Sequence, residues 1–188
     1  MITTFLALLL LFIFVIFEGR LRQGAAASSI SAGENDRRST RLLGLAYFVC
    51  FMLIFASFLL DALNIASLPA WIGWPGLALA VAGVALRTWS NRVLGAFYTR
   101  TLKIAEGQTV VRAGPYAVVR HPGYLGMILT WIGAAMATDN GLVILGVTIT
   151  IVAVYAYRIA SEEKMLLASL DGYAEYRAKT WKLIPFIF

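Results

Sequence analysis

Five stretches of this chain contain no Asp, Glu, Lys or Arg: residues 1–17, 42–60, 62–86, 121–138 and 140–157. No other feature limits the fold as much. A bilayer core about 30 Å thick is crossed by roughly 17–25 helical residues, so each stretch can span one, the last two by a narrow margin. Backbone groups in hydrocarbon must pair within their own segment, which makes such spans helices. Composition agrees: 60% of the 188 residues are hydrophobic and 14% are charged, against about a quarter charged in soluble domains. The first stretch has no basic residues ahead of its apolar part, so it reads as a retained membrane helix and not as a cleaved leader. The predicted fold class is all-α, a polytopic integral membrane protein of five transmembrane helices.

Charge placement orients these spans. The connection 18–41 holds five Lys/Arg, the connection 87–120 holds six, and the tail from Arg158 holds five. The connections around Asp61 and Asp139 hold none. All 16 basic residues therefore fall on one side. The positive-inside rule makes that side cytoplasmic, with the N-terminus outside and the tail inside; in a prokaryotic host the membrane would be the plasma membrane. The net charge of +6 then reflects rims facing anionic membrane lipids, and no nucleic-acid partner is expected.

The residue inventory narrows the chemistry. A single cysteine, Cys50, excludes an internal disulfide framework or a cysteine-rich metal site and reads as packing. One histidine without a partner or an HExxH pair argues against a zinc hydrolase, and no metal is expected. The chain has no GxGxxG after a strand, no Walker loop and no GxSxG.

Along the chain, residues 23–40 form a small, polar connection. The sequence TDNG between spans four and five contains the Asn140-Gly141 turn signal, which predicts a tight helix-turn-helix hairpin. The inner ends of that hairpin carry RHPGY and YRIASEE. The connection 87–120 mixes polar and apolar residues, with turns at Glu106-Gly107 and at GPY, and is expected to lie over the cytoplasmic face. In the tail, Met165, Leu166, Leu170, Tyr173 and Tyr176 follow roughly helical spacing, which fits a helix against the membrane interface. The closing IPFIF has the character to dock into lipid or the bundle. The chain divides into residues 1–86, holding spans one to three, and 87–188, holding the connector, the hairpin and the tail helix.

Arg158 and Glu162 lie four apart and share a helix face; Glu163 follows at once. They are either charges placed where a helix leaves the membrane or a guanidinium and carboxylates pointing into a cleft, as interior-facing ionisable residues at membrane depth do. His121 also has two readings. Its ring sits among lipid headgroups, or it caps a helix begun by Pro122, a favoured first residue. The positive start of that helix attracts an anion such as a ligand carboxylate. Together these ends offer both signs of charge, which suits a zwitterionic ligand.

GQTVVRAGPYAVVRHPGY, a hydrophobic hairpin, RIASEE, then YAEY and a late LIP together resemble the isoprenylcysteine carboxyl methyltransferase family, related to the membrane phospholipid methyltransferases, in a prokaryotic-type form. The resemblance covers about residues 86–188. It implies S-adenosylmethionine as cofactor, held in a cytoplasmic pocket. By position it sets Gln108, Thr109, Val110, Val111, Tyr116, His121, Pro122, Gly123, Tyr124 and Glu162 beside the cofactor. It sets Arg158 against the methyl acceptor as the catalytic residue. The implied acceptor is a prenylcysteine-like or other lipophilic carboxylate entering from the bilayer. A carboxylate needs no base, and Arg158 can orient it by a bidentate pair. The first two spans show no family match, and LDGYAEY stands where the family has a Phe-Gly-acid run. An NADPH-dependent membrane reductase of the sterol type and a non-enzymatic small transporter are the alternatives.

Overall fold

The computed structural model describes residues 1–21, 36, 38–99, 101–102, 104 and 107–185. Most of the polar connection 23–40, Glu106 of the expected turn and the last three residues of IPFIF lie outside the described residues. The described residues form six α-helices: α1 Ile2–Leu21, α2 Ser39–Ala62, α3 Gly73–Leu94, α4 Pro122–Met136, α5 Gly141–Ser169 and α6 Tyr173–Lys179. Three of them, with α3 counted together with its flanking 3-10 turns as Ala70–Phe97, are long and apolar enough to cross a membrane: Ser39–Ala62, Ala70–Phe97 and Gly141–Ser169. Ile2–Glu18 and Pro122–Met136 are apolar but shorter. At 1.5 Å per residue the 15 residues of α4 rise about 22 Å.

The third apolar stretch is not one helix from residue 62. Asn64 and Ala66 both take left-handed backbone, with φ 55° each, and Pro69 follows, so helix restarts only at Gly73. It then runs past Leu86 to Leu94 and carries Arg87 and Asn91 into the interior. A buried Arg is tolerated there because Glu18 of α1 meets it.

A seam of small residues joins α3 to α4. A Cβ on Gly83 would lie 2.5 Å from the Gly126 carbonyl oxygen, and one on Gly133 would lie 2.4 Å from the Ala80 amide nitrogen. Gly76, Ala80 and Gly83 thus face Gly126, Thr130 and Gly133 nearly backbone to backbone. Lipid tails are as apolar as leucine, so close dispersion contact of this kind is what holds helices together in a bilayer. Thr130 spends its hydroxyl on the Gly126 carbonyl, 2.8 Å away, and leaves the seam dry.

At one end of the bundle, Thr3 and Thr4 of α1 donate to the Ala137 carbonyl at 2.8 and 3.1 Å. The expected turn between α4 and α5 occupies residues 137–139, where Asp139 has φ 53°. Asn140 is the N-cap of α5 and accepts from the amides of Leu142 and Val143 at 3.1 and 3.3 Å. Its side-chain amide donates to the Ile65 carbonyl at 2.8 Å, fixing the loop that precedes α3. α2 lies along α5, where the hydroxyls of Tyr47 and Tyr155 meet at 2.5 Å. The core between the helices is built from residues such as Ile54, Trp131, Val147 and Ile151.

At the other end the chain folds back on itself. The tail is not a single interfacial helix. Met165 and Leu166 extend α5, Gly172 turns the chain with φ 76°, and Tyr173 and Tyr176 begin α6. These four residues are buried against Leu102, with Val110 beside them. The connector supplies enough apolar surface to cover them, so they face protein and not lipid. Residues 181–182 then cross the start of α4. Trp181 donates to the Val118 carbonyl at 3.0 Å, and the amides of Arg120 and His121 donate to the carbonyls of Trp181 and Lys182 at 2.8 and 3.2 Å.

Candidate active site

A cavity of about 220 Å³ opens at this end, between α1, α2, α3, the connector, α4, α5 and α6. Gln108, Thr109, Val110, Val111, Tyr116, His121, Gly123, Tyr124, Arg158 and Glu162 all line it. Pro122 does not; it is fully buried as the first residue of α4. Thr109 and Gly44 of α2 are lining residues that are also exposed. Gly44 stands among the exposed apolar residues Leu42, Leu45 and Phe48, and a Cβ built on it meets nothing within 4 Å. The cavity therefore reaches the surface beside the polar connector and again on the apolar flank of α2.

Residues distant in sequence build one wall. His121 caps α4 with its backbone: its carbonyl receives the amides of Tyr124 and Leu125 at 3.1 and 3.0 Å. Its ring lies parallel to that of Tyr124, with centroids 5.6 Å apart and planes 6° apart. The ring nitrogens face two carboxylates, Glu163 at 3.3 Å and Glu162 at 3.8 Å. The second distance is too long for a hydrogen bond, and Oε2 of Glu162 is buried without a hydrogen-bond partner among the described residues. The hydroxyl of Tyr173, another lining residue, is in the same condition.

The two carboxylates have separate tasks. Glu162 faces the cavity, whereas Glu163 turns to Arg120 at 2.9 Å. Arg120 is not a free cation at the mouth: it also donates to the carbonyls of Arg177 and Thr180. Arg120 lines the cavity and, with Glu163 and the 180–182 segment, forms a strut at its edge.

Arg158 is 3% exposed. Its Nε donates to the Tyr124 hydroxyl at 3.0 Å and its Nη1 to the hydroxyls of Ser39 and Thr40 at 3.1 and 3.2 Å. Asp36 lies 3.9 Å from it. Burial would push the Asp36 carboxyl up, but hydrogen bonds from Ser39 and Thr40 hold it below the usual range. Asp36 remains an anion and balances Arg158. The guanidinium also sits 5.8 Å from the centre of the Tyr124 ring.

A second buried guanidinium, missed by the sequence reading, lines the same cavity. Arg87 donates from Nε and Nη2 to Oε1 of Glu18 at 3.0 and 2.6 Å, and from Nη2 to the Tyr98 hydroxyl at 2.5 Å. Tyr98 in turn donates to Glu18 Oε1 at 2.9 Å. Asn91, one turn further along α3, lines the cavity as well. In the sequence Arg87 marks the end of a charge-free run and so reads as the first residue of a water-facing connector. Its four-residue spacing to Asn91 was the available signal that the helix continues.

Burial pushes the phenol of Tyr176 up to about 12 and raises those of Tyr116 and Tyr173. All three stay neutral at physiological pH. Tyr176 donates to the Tyr116 carbonyl at 2.7 Å, tying α6 to the connector. The cavity as a whole suits a ligand with both charge signs at the Glu162 wall and an apolar ligand near Gly44. It contains no free imidazole: the only histidine is held between two carboxylates.

The family model for the isoprenylcysteine carboxyl methyltransferase (ICMT) family matches residues 76–168. A probable protein-S-isoprenylcysteine O-methyltransferase from Oryza sativa subsp. indica is 24% identical over 178 residues, covering 92% of this chain and 92% of that protein. The protein-S-isoprenylcysteine O-methyltransferase of Xenopus laevis is 28% identical over 120 residues, covering 62% of this chain and 42% of the relative. Among solved structures, that of the eukaryotic intramembrane Ras methyltransferase ICMT is similar with a TM-score of 0.64 at 26% identity. The match covers 78% of this chain, which spans about half, 53%, of the solved one. This chain belongs to the isoprenylcysteine carboxyl methyltransferase family, and it is an integral membrane methyltransferase.

Proposed function

We propose that this enzyme uses S-adenosylmethionine to methylate the carboxylate of a prenylcysteine-like or other lipophilic acceptor. The supporting observation is the Glu162 wall: a buried carboxylate oxygen without a hydrogen-bond partner among the described residues, beside His121, Gly123 and Tyr124, on a cavity also lined by Gln108, Thr109, Val110 and Val111. An orphaned carboxylate oxygen is costly unless a ligand donates to it. The ammonium or ribose hydroxyls of S-adenosylmethionine would do so, and the Tyr173 hydroxyl offers a donor nearby. When bound, that cofactor supplies a methyl group on a sulfonium, an already activated leaving group.

The protein then has to position two molecules and exclude water. Arg158 is immobilised by Tyr124, Ser39 and Thr40, so its fixed positive charge can orient an acceptor carboxylate. No base is required of the site. The aromatic residues Tyr47, Tyr98, Tyr124 and Tyr155 line the acceptor side. We infer that α1 and α4 complete a five-helix crossing in which α4 and α5 form the hairpin and the cavity lies at the cytoplasmic end. The cofactor enters past Thr109, and the acceptor enters from the bilayer past Gly44.

Calorimetric titration of the purified protein with S-adenosylhomocysteine tests the cofactor. Binding to the wild type and its loss in Glu162→Ala is the expected result. An unaltered Glu162→Ala affinity, or no binding to the wild type, refutes the reading. Transfer of labelled methyl to a prenylated thioether carboxylate, and not to its amide, tests the acceptor. The reductase and transporter alternatives are not favoured by the family match or by the relative named as a probable methyltransferase.

A further inference from the structure

Asn91 presents a problem that the fold alone does not solve. It is 5% exposed. Both its side-chain oxygen and its side-chain nitrogen are buried without a hydrogen-bond partner among the described residues. It nevertheless lines the cavity, one helical turn beyond Arg87 and toward the connector. A buried amide with neither atom satisfied is among the least favourable arrangements a core can hold, so it marks a place where a ligand completes the structure.

The chemistry of that ligand follows from what each class would satisfy. A lipophilic tail satisfies neither atom. A carboxylate accepts from the amide nitrogen and leaves the oxygen orphaned. An ammonium does the reverse. A 6-aminopurine carries an amino donor beside a ring-nitrogen acceptor and satisfies both atoms at once, as asparagine does when it reads adenine. The ammonium of a zwitterionic cofactor already has a partner of its own at Glu162. Leu102, Val110, Met165 and Leu166 line the same cavity and supply apolar walls for a flat ring. Resting on the cofactor reading above, we propose that Asn91 is a binding residue for the purine base of the nucleoside cofactor, reading its 6-amino edge.

The test compares two ligands on two proteins by calorimetry in detergent. The ligands are S-adenosylhomocysteine and its analogue with hydrogen in place of the 6-amino group. The proteins are the wild type and Asn91→Leu, a substitution of similar volume. The wild type should bind S-adenosylhomocysteine about tenfold more tightly than the analogue, the usual scale for one hydrogen bond that leaves a buried group unsatisfied. Asn91→Leu should bind the two ligands alike, with S-adenosylhomocysteine at least about tenfold weaker than in the wild type. Its Tm should stay level or rise, because the orphaned amide is gone. The proposal is overturned if Asn91→Leu keeps the wild-type preference or the wild-type affinity. It is overturned too if only the acceptor KM changes, which would assign Asn91 to the acceptor. Should Asn91→Leu fail to fold, equal wild-type affinities for the two ligands overturn it and a clear preference upholds it. Failure of the wild type to bind S-adenosylhomocysteine at all refutes the cofactor reading instead.

Discussion

Gly126→Ala should damage catalysis through the backbone alone. A Cβ on Gly126 would lie 2.7 Å from the Arg87 amide nitrogen and the Gly83 carbonyl oxygen, and 3.0 Å from the Arg87 Cα. Ordinary contact begins at 3.4 Å, so the two helices must part by about 0.7 Å to admit it. No side chain can swing aside, because each obstructing atom is backbone. Overpacking of this kind costs about 1–3 kcal/mol, or a Tm lower by roughly 2–12 °C for a chain of this size. The displaced residue is Arg87, whose guanidinium lines the cavity, and a misplacement near 1 Å can lower turnover by about 10²-fold. Gly133→Ala is the control. Its Cβ clashes at 2.4 Å with the Ala80 amide nitrogen, two turns or about 10 Å further from the site. Thermal unfolding in detergent and methyl-transfer kinetics read both variants. Both should lose stability, and only Gly126→Ala should lose turnover out of proportion. A wild-type Tm for Gly126→Ala, or equal loss of turnover in the two, would refute the reasoning.

Other outcomes follow from the same geometry. Gly44→Trp should raise the acceptor KM about tenfold or more by filling the open flank of α2, with the Kd for S-adenosylhomocysteine unchanged in calorimetry. Glu18→Gln leaves Arg87 buried without its counter-ion and should lower the unfolding free energy by about 3 kcal/mol, while Glu18→Met with Arg87→Met should recover most of that loss. Asp139→Asn should raise Tm, because burial pushes this carboxyl up from its ordinary 3.8 and asparagine tolerates φ 53°. The folded-state value lies above the unfolded one, so the charged Asp139 weakens the fold at neutral pH and less so as pH falls. The Tm gain measured at pH 8 should therefore shrink toward pH 4.

The positions of the apolar helices were legible in the sequence because exclusion of charge is a coarse, additive signal. Their ends were less so. Residues 63–72 are uncharged and look like membrane helix, but left-handed residues at 64 and 66 and Pro69 make them a loop that ends in a 3-10 turn. Beyond Leu86 the opposite error arose, since a single Arg looks like water and only a partner 69 residues away shows that it is interior. The cavity wall around RHPGY and Glu162 could be anticipated, because a short turn brings the two segments together. Arg87 and Glu18 could not, because pairing across distant helices leaves no local pattern. Glu163 was expected beside Glu162 in the cleft, yet it turns to Arg120. Adjacent residues on a helix point about 100° apart, and the sequence of the motif does not say which one faces inward.

The crossing of α4 by residues 181–182 has a consequence in time. The amides of Arg120 and His121 are satisfied by carbonyls made some sixty residues later in the chain. α4 and α5 can pack together as soon as they are synthesised, but the two amides that lead into α4 stay open until that later segment arrives. Packing of the helices and closure of the site's outer edge are then separate events.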